Sequence, residues 1–75
     1  NYTMNKQKEV IPNTLKENRL KVGITQKQVA EKIGVNSQER ISHWEAGRNI
    51  PNLANLVKLC KLYKVNVNLI YPDLY

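Results

Sequence analysis

Apolar residues recur along this chain three and four positions apart, and no stretch keeps the strict alternation of a strand. Each run closes on a residue that turns or breaks a helix. Leu15 and Val22, flanked by Ile11 and Ile24, form a sparse first set, with Arg19 one turn beyond Leu15 on the same face. Pro12 disfavours helix at Ile11, Asn13 or Thr14 can cap the helix beyond it, and Gly23 stops the run. A second set, Val29, Ala30 and Ile33, lies between Thr25 and Gly34. Thr25 and Gln28 have the spacing at which each side chain can serve the other's amide. Gly34 stands where a chain leaving a helix needs a positive φ, and Val35 can plug the corner. Ser37 is a second cap candidate, opening a helix whose inward positions are Ile41, Trp44 and Glu45, and Gly47 ends it. After the loop Gly47-Arg48-Asn49-Ile50-Pro51, Asn52 caps a longer set of Leu53, Leu56, Val57, Leu59, Cys60 and Tyr63, with Lys58 and Lys61 facing water. Asn66 caps a short run of Val67, Leu69 and Ile70, and Pro72 ends it.

The pattern therefore predicts an all-α, compact five-helix domain. Its first helix runs to about Val22, the second from about Gln26 to Ile33, and the third from about Gln38 to Ala46. Residues 1–10 are polar and carry no periodicity, so they are expected to form a flexible N-terminal arm, leaving residues 11–75 as the domain. Met4 is a candidate start within that arm.

Composition narrows the function. A chain of 75 residues holds one small domain, and 41% apolar content suits a compact aliphatic core. Cys60 is the only cysteine, which excludes an internal disulfide or a cysteine-rich zinc site and makes a reducing cytoplasm the simplest compartment. On an apolar helix face Cys60 reads as a small core residue, with redox sensing as the other role. No apolar run approaches the ~20 residues of a membrane span. One His, no glycine-rich phosphate loop and no spaced metal ligands leave no basis for an enzyme, a metal or a cofactor. The net charge of +6 suggests a polyanionic partner, although lysine richness can also serve solubility.

The order of these residues resembles the Xre-type helix-turn-helix family, which includes the phage repressors and Cro proteins. Arg19, Ile24-Thr25-Gln26, Ala30, Gly34-Val35, Ser37-Gln38, Ile41-Ser42, Trp44-Glu45, Gly47 and Pro51 match that family's pattern. Leu53 to Ile70, LANLVKLCKLYKVNVNLI, looks like its last two helices, so the resemblance covers roughly Thr14 to Tyr71. It implies a lambda-repressor-like DNA-binding domain. Two departures stand out: Asn18 replaces the large apolar residue common in the family, and five residues rather than four separate Val35 from Ile41. Placing the extra residue, Asn36, in the turn keeps Ser37 as cap and Gln38 as first residue of the helix, since Asn tolerates left-handed backbone. Placing it inside the helix would rotate the reading face by ~100°.

The major groove admits one α-helix and shows each base pair as a distinct donor and acceptor pattern. The resemblance makes the third helix the reader. Its outward residues Gln38, Glu39, Ser42 and His43 are the base-reading candidates, and Gln38 matches the family's adenine-contacting glutamine. Glu39 can accept from cytosine N4 or simply place charge at a helix start, and His43 is either a donor to DNA or a surface residue without a role. Gln26 matches a phosphate-contacting position, and Arg40, Arg48 and Asn49 flank the reading face as further phosphate candidates. Lys6 and Lys8 either lie along DNA or belong to a leader without function. The family pairs the residues matching Arg19 and Glu45 as a partly buried ion pair. Its members commonly dimerise through the C-terminal end, where this chain carries Leu69, Ile70, Tyr71, Leu74 and Tyr75; the alternative is that Leu74 and Tyr75 cover the domain's own core. The expected function is a sequence-specific transcriptional regulator, a repressor binding a palindromic double-stranded operator as a homodimer in the cytoplasm. The competing reading is an antitoxin-like or adaptor module whose main partner is a protein.

Overall fold

The computed structural model describes residues 10–74, and among these five helices follow one another without a strand. They are α1 (Leu15–Val22), α2 (Gln26–Ile33), α3 (Gln38–Glu45), α4 (Leu53–Tyr63) and α5 (Val67–Ile70). The expected arm, apart from Val10, and Tyr75 lie outside the described residues. α2 packs on α3, α1 touches both α3 and α4, α2 also meets α4, and α5 lies against α4. The all-α five-helix arrangement expected from the apolar spacing is the one observed.

The helix starts follow the local chemistry unevenly. Thr25 Oγ1 accepts from the Gln28 amide at 3.1 Å while Gln28 Oε1 accepts from the Thr25 amide at 2.9 Å, a complete capping box. Asn52 Oδ1 accepts from the Asn55 amide at 2.8 Å. At α1 the cap position is Thr14, but Asn13 supplies the acceptor, its Oδ1 taking the Leu15 amide at 3.0 Å. Ser37 and Asn66 hold the cap positions of α3 and α5 with extended backbone, yet neither side chain makes a cap bond, contrary to expectation.

Gly34 leaves α2 at φ 80, and Val35, buried at the corner, donates its amide to Ala30 O at 2.9 Å. Asn36 sits in the turn, so Ser37 precedes α3 and Gln38 opens it. It does so without left-handed backbone: among the described residues Lys64 is the only non-glycine at positive φ. The extra residue is absorbed by a bend of ordinary φ.

The core is built from Leu15 of α1, Val29, Ala30 and Ile33 of α2, Ile41 and Trp44 of α3, Leu56, Leu59 and Tyr63 of α4, then Ile70 and Tyr71. Ile11 and Ile24 pack partly buried against it, as does Cys60, whose thiol pKa is pushed up by burial. Four positions read as apolar-face residues are instead exposed: Val22, Leu53, Val57 and Leu69. On α4 the inward arc is Leu56, Leu59 and Tyr63; Leu53 (75% exposed) and Val57 fall to one side of it and stay exposed. Val22 lies in the last turn of α1, past the core. Lys58, expected to face only water, also donates Nζ to Ile33 O at 3.2 Å, closing the C-terminal end of α2. Asn18 bonds back to Thr14, its Nδ2 donating to Thr14 O at 2.9 Å and to Thr14 Oγ1 at 3.0 Å. Ile70 and Tyr71 are fully buried in their own domain, which leaves Leu69 and Leu74 as the described exposed apolar residues of that end.

Candidate nucleic-acid interface

α3 presents two different surfaces. Ile41 and Trp44 are buried against the rest of the domain, whereas Gln38, Glu39, Arg40 and His43 are exposed and Ser42 is half-buried. Ser42 and Glu45 follow Gln38 by four and seven residues, so these three run along one edge of the helix. Arg40, two residues on from Gln38, is turned by about 200° around the axis. Its guanidinium lies 5.7 Å from the Trp44 ring centroid, which steadies it on the opposite flank.

Behind that edge lies a polar cluster. Arg19 Nε donates to Glu45 Oε2 at 2.6 Å and Arg19 Nη2 to Glu45 Oε1 at 3.2 Å, the two-pronged geometry that suits guanidinium and carboxylate. The two side chains are only 11% and 5% exposed. Hydrogen bonding to Glu45, opposed by burial, raises the Arg19 pKa further. Arg19 Nη1 also donates to Ile24 O at 3.0 Å, so one side chain ties α1, the turn into α2 and the end of α3. Gln26 Nε2 donates to Glu45 Oε1 at 3.0 Å. The Tyr63 hydroxyl is buried without a hydrogen-bond partner among the described residues. Burial, and then the charge of Glu45, push its pKa up to about 12, with Arg19 opposing.

The segment 15–70, about three quarters of the chain, matches the family described as helix-turn-helix. This chain belongs to the Xre-like helix-turn-helix family. No curated protein and no solved structure matches it. Members of the family are DNA-binding transcriptional regulators, and α2–turn–α3 supplies the motif in this chain.

In this Xre-like domain Arg48 and Asn49 are exposed just beyond α3, where Gly47 and Arg48 donate their amides to Trp44 O at 3.1 Å and His43 O at 3.0 Å. Gly47, at φ 77, lies so close to the chain entering α1 that an added Cβ would stand 2.7 Å from Ile11 O. Ile11 in turn donates its amide to Gly47 O at 2.9 Å. The larger part of this clasp leaves no mark in the residue order. Asn13, read only as a cap, also donates Nδ2 to Ile11 O at 3.0 Å and to Trp44 O at 3.2 Å, thirty-one residues away. Nothing in local spacing could reveal that reach. Gln26, expected from the resemblance to meet a phosphate, has its side chain engaged by Glu45. No helix of the described residues is long and apolar enough to cross a membrane.

Proposed function

We propose that this Xre-like regulator is a sequence-specific repressor that inserts α3 into the major groove of a palindromic operator. The observation carrying the reading is the division of α3, with Ile41 and Trp44 buried behind an exposed edge of Gln38, Glu39 and His43 and a half-buried Ser42. In this reading Gln38, Glu39, Ser42 and His43 meet base edges, while Gln26, Arg40, Arg48 and Asn49 meet phosphates. The net charge of +6 supplies the long-range attraction, and the cytoplasm is where such a protein meets DNA. A homodimer through the C-terminal end, where Leu69 and Leu74 are exposed, would set two reading helices about 34 Å apart.

Selection of bound sequences from a random duplex pool, repeated with Gln38→Ala, tests this. The expected result is a palindromic consensus that relaxes at one symmetric position, with a salt slope of about 0.9 per phosphate neutralised. Recovery of no consensus overturns sequence-specific repression. Sedimentation of a monomer on that operator removes the dimer.

One feature favours a second reading. An open apolar groove between α4 and α5, lined by Leu53, Leu56, Val57, Val67 and Leu69, suits a protein partner, as an antitoxin-like or adaptor module would need. Such a module should show neither a steep salt slope nor dependence on Gln38.

A further inference from the structure

Gln26 is the first residue of α2, where the leading amides of a helix have no intrahelical partner and the helix end is positive. Its carboxamide is not loose. Nε2 donates at 3.0 Å to Glu45 Oε1, and that carboxylate is itself fixed by Arg19 through both oxygens. An ionised carboxylate only accepts, so Glu45 decides which end of the carboxamide faces it: the nitrogen. A carboxamide nitrogen carries two protons, and one bond to Glu45 leaves the second for another acceptor. Glu45 also shares an α3 edge with Gln38 and Ser42.

We infer that Glu45 is a positioning residue for DNA recognition: it holds the Gln26 carboxamide with an N–H ready for a phosphate oxygen and fixes that contact relative to the reading edge of α3. The inference rests on the DNA-reading function proposed above and adds a residue that touches no nucleotide itself. Phosphate contacts set the register in which base edges are read, so a misplaced Gln26 would blur what Gln38 meets. Glu45 does this at the same point where it braces α1, because one oxygen serves both Arg19 and Gln26.

The test is a double-mutant cycle on duplex affinity, run on a random-sequence duplex at low salt and on any selected operator, well below the melting of each variant. Glu45→Gln keeps the shape but lets the carboxamide flip, and is expected to weaken binding about tenfold, within the coupling typical of contacting residues. In a Q26A background the same change should cost less than about twofold. Methylphosphonate at the phosphate nearest Gln26 should weaken the parent and leave E45Q unaffected. A purely structural Glu45 would lower affinity alike whichever phosphate is neutralised. If E45Q does not fold, Glu45→Asp keeps the charge beside Arg19 while withdrawing it from Gln26, and should show the same coupling. Gln26→Asn needs no change at Glu45; too short to span from α2 to the carboxylate, it should bind as weakly as Q26A. Additive losses in the cycle, or parental affinity for Q26N, overturn the inference while leaving DNA binding intact. A parent protein that binds no duplex at low salt overturns the function beneath it.

Discussion

The two ends of α3 are built in opposite ways. At the C-terminal end Glu45 is gripped by Arg19 and Gln26, Asn13 reaches the Trp44 carbonyl, and Gly47 and Arg48 return their amides to the last turn. At the N-terminal end Ser37 makes no side-chain cap bond and Gln38, Glu39 and Arg40 stand in solvent. In helix-turn-helix proteins the first residues of the second helix meet the base edges. The helix is therefore anchored by its far end and offered by its near one. Changes at the anchored end should register as lost stability, and changes at the free end as altered binding alone.

The sharpest way to break that contrast is Glu45→Ala. It strands a buried Arg19 guanidinium and frees Gln26, and the loss of one partner of a buried pair costs about 3–5 kcal/mol. Against the roughly 5–15 kcal/mol of an ordinary domain, this should leave the protein unfolded or melting far below the parent. Thermal and urea unfolding measure it, and a melting temperature within a degree or two of the parent rejects it. Gln38→Ala, at the free end, should stay within about 0.5 kcal/mol.

Gly47→Ala comes next. The residue must keep φ 77, and its new Cβ would meet Ile11 O at 2.7 Å and Ile11 N at 2.8 Å, backbone atoms that cannot swing aside. Left-handed backbone alone costs an alanine about 1–2 kcal/mol, so with the collision the expected loss is about 2–4 kcal/mol by denaturant unfolding.

The anchored end also carries a group with no hydrogen-bond partner among the described residues, the Tyr63 hydroxyl. Its pKa is about 12 in the folded chain against an ordinary 10, chiefly through burial. Below pH 10 both states keep the proton. Between pH 10 and about 12 the unfolded chain releases it first, so stability should fall as pH rises through that window. Tyr63→Phe should flatten this decline and, having no hydrogen bond to lose, sit between neutral and about 1 kcal/mol more stable at neutral pH. A loss above that size would mean that the hydroxyl has found a partner in solution.

How far these features could be read from residue order depends on the range of the interactions. The Thr25 capping box, the turn at Gly34 and the burial of Ile41 and Trp44 are decided within one or two helical turns, and all are legible in the chain. The exposed positions of α3 are legible for the same reason. Leu53, Val57 and Leu69 mislead because apolar spacing marks a face without saying how much of it another helix covers. Asn36 occupies the turn as its residue type suggests, but without the left-handed backbone that makes Asn a natural choice there. The grip of Asn13 on Trp44 and of Gln26 on Glu45 joins residues far apart in the chain, where one sequence offers no pattern to count.

The smallest expected effect tests the contrast from its free side. Thr25 and Ser37 occupy equivalent cap positions with extended backbone, but only Thr25 exchanges bonds with the residue three positions on. Thr25→Ala should therefore cost about 1 kcal/mol, the usual value of a lost cap. Ser37→Ala should cost less than about 0.5 kcal/mol, as a surface change that removes no bond. Both are read from urea unfolding under identical conditions. Equal losses would show that the Ser37 hydroxyl does cap α3 in solution, so that the helix is pinned at both ends. Its first turn would then meet DNA as a fixed surface, and any loss of affinity in S37A would have to be divided between folding and recognition.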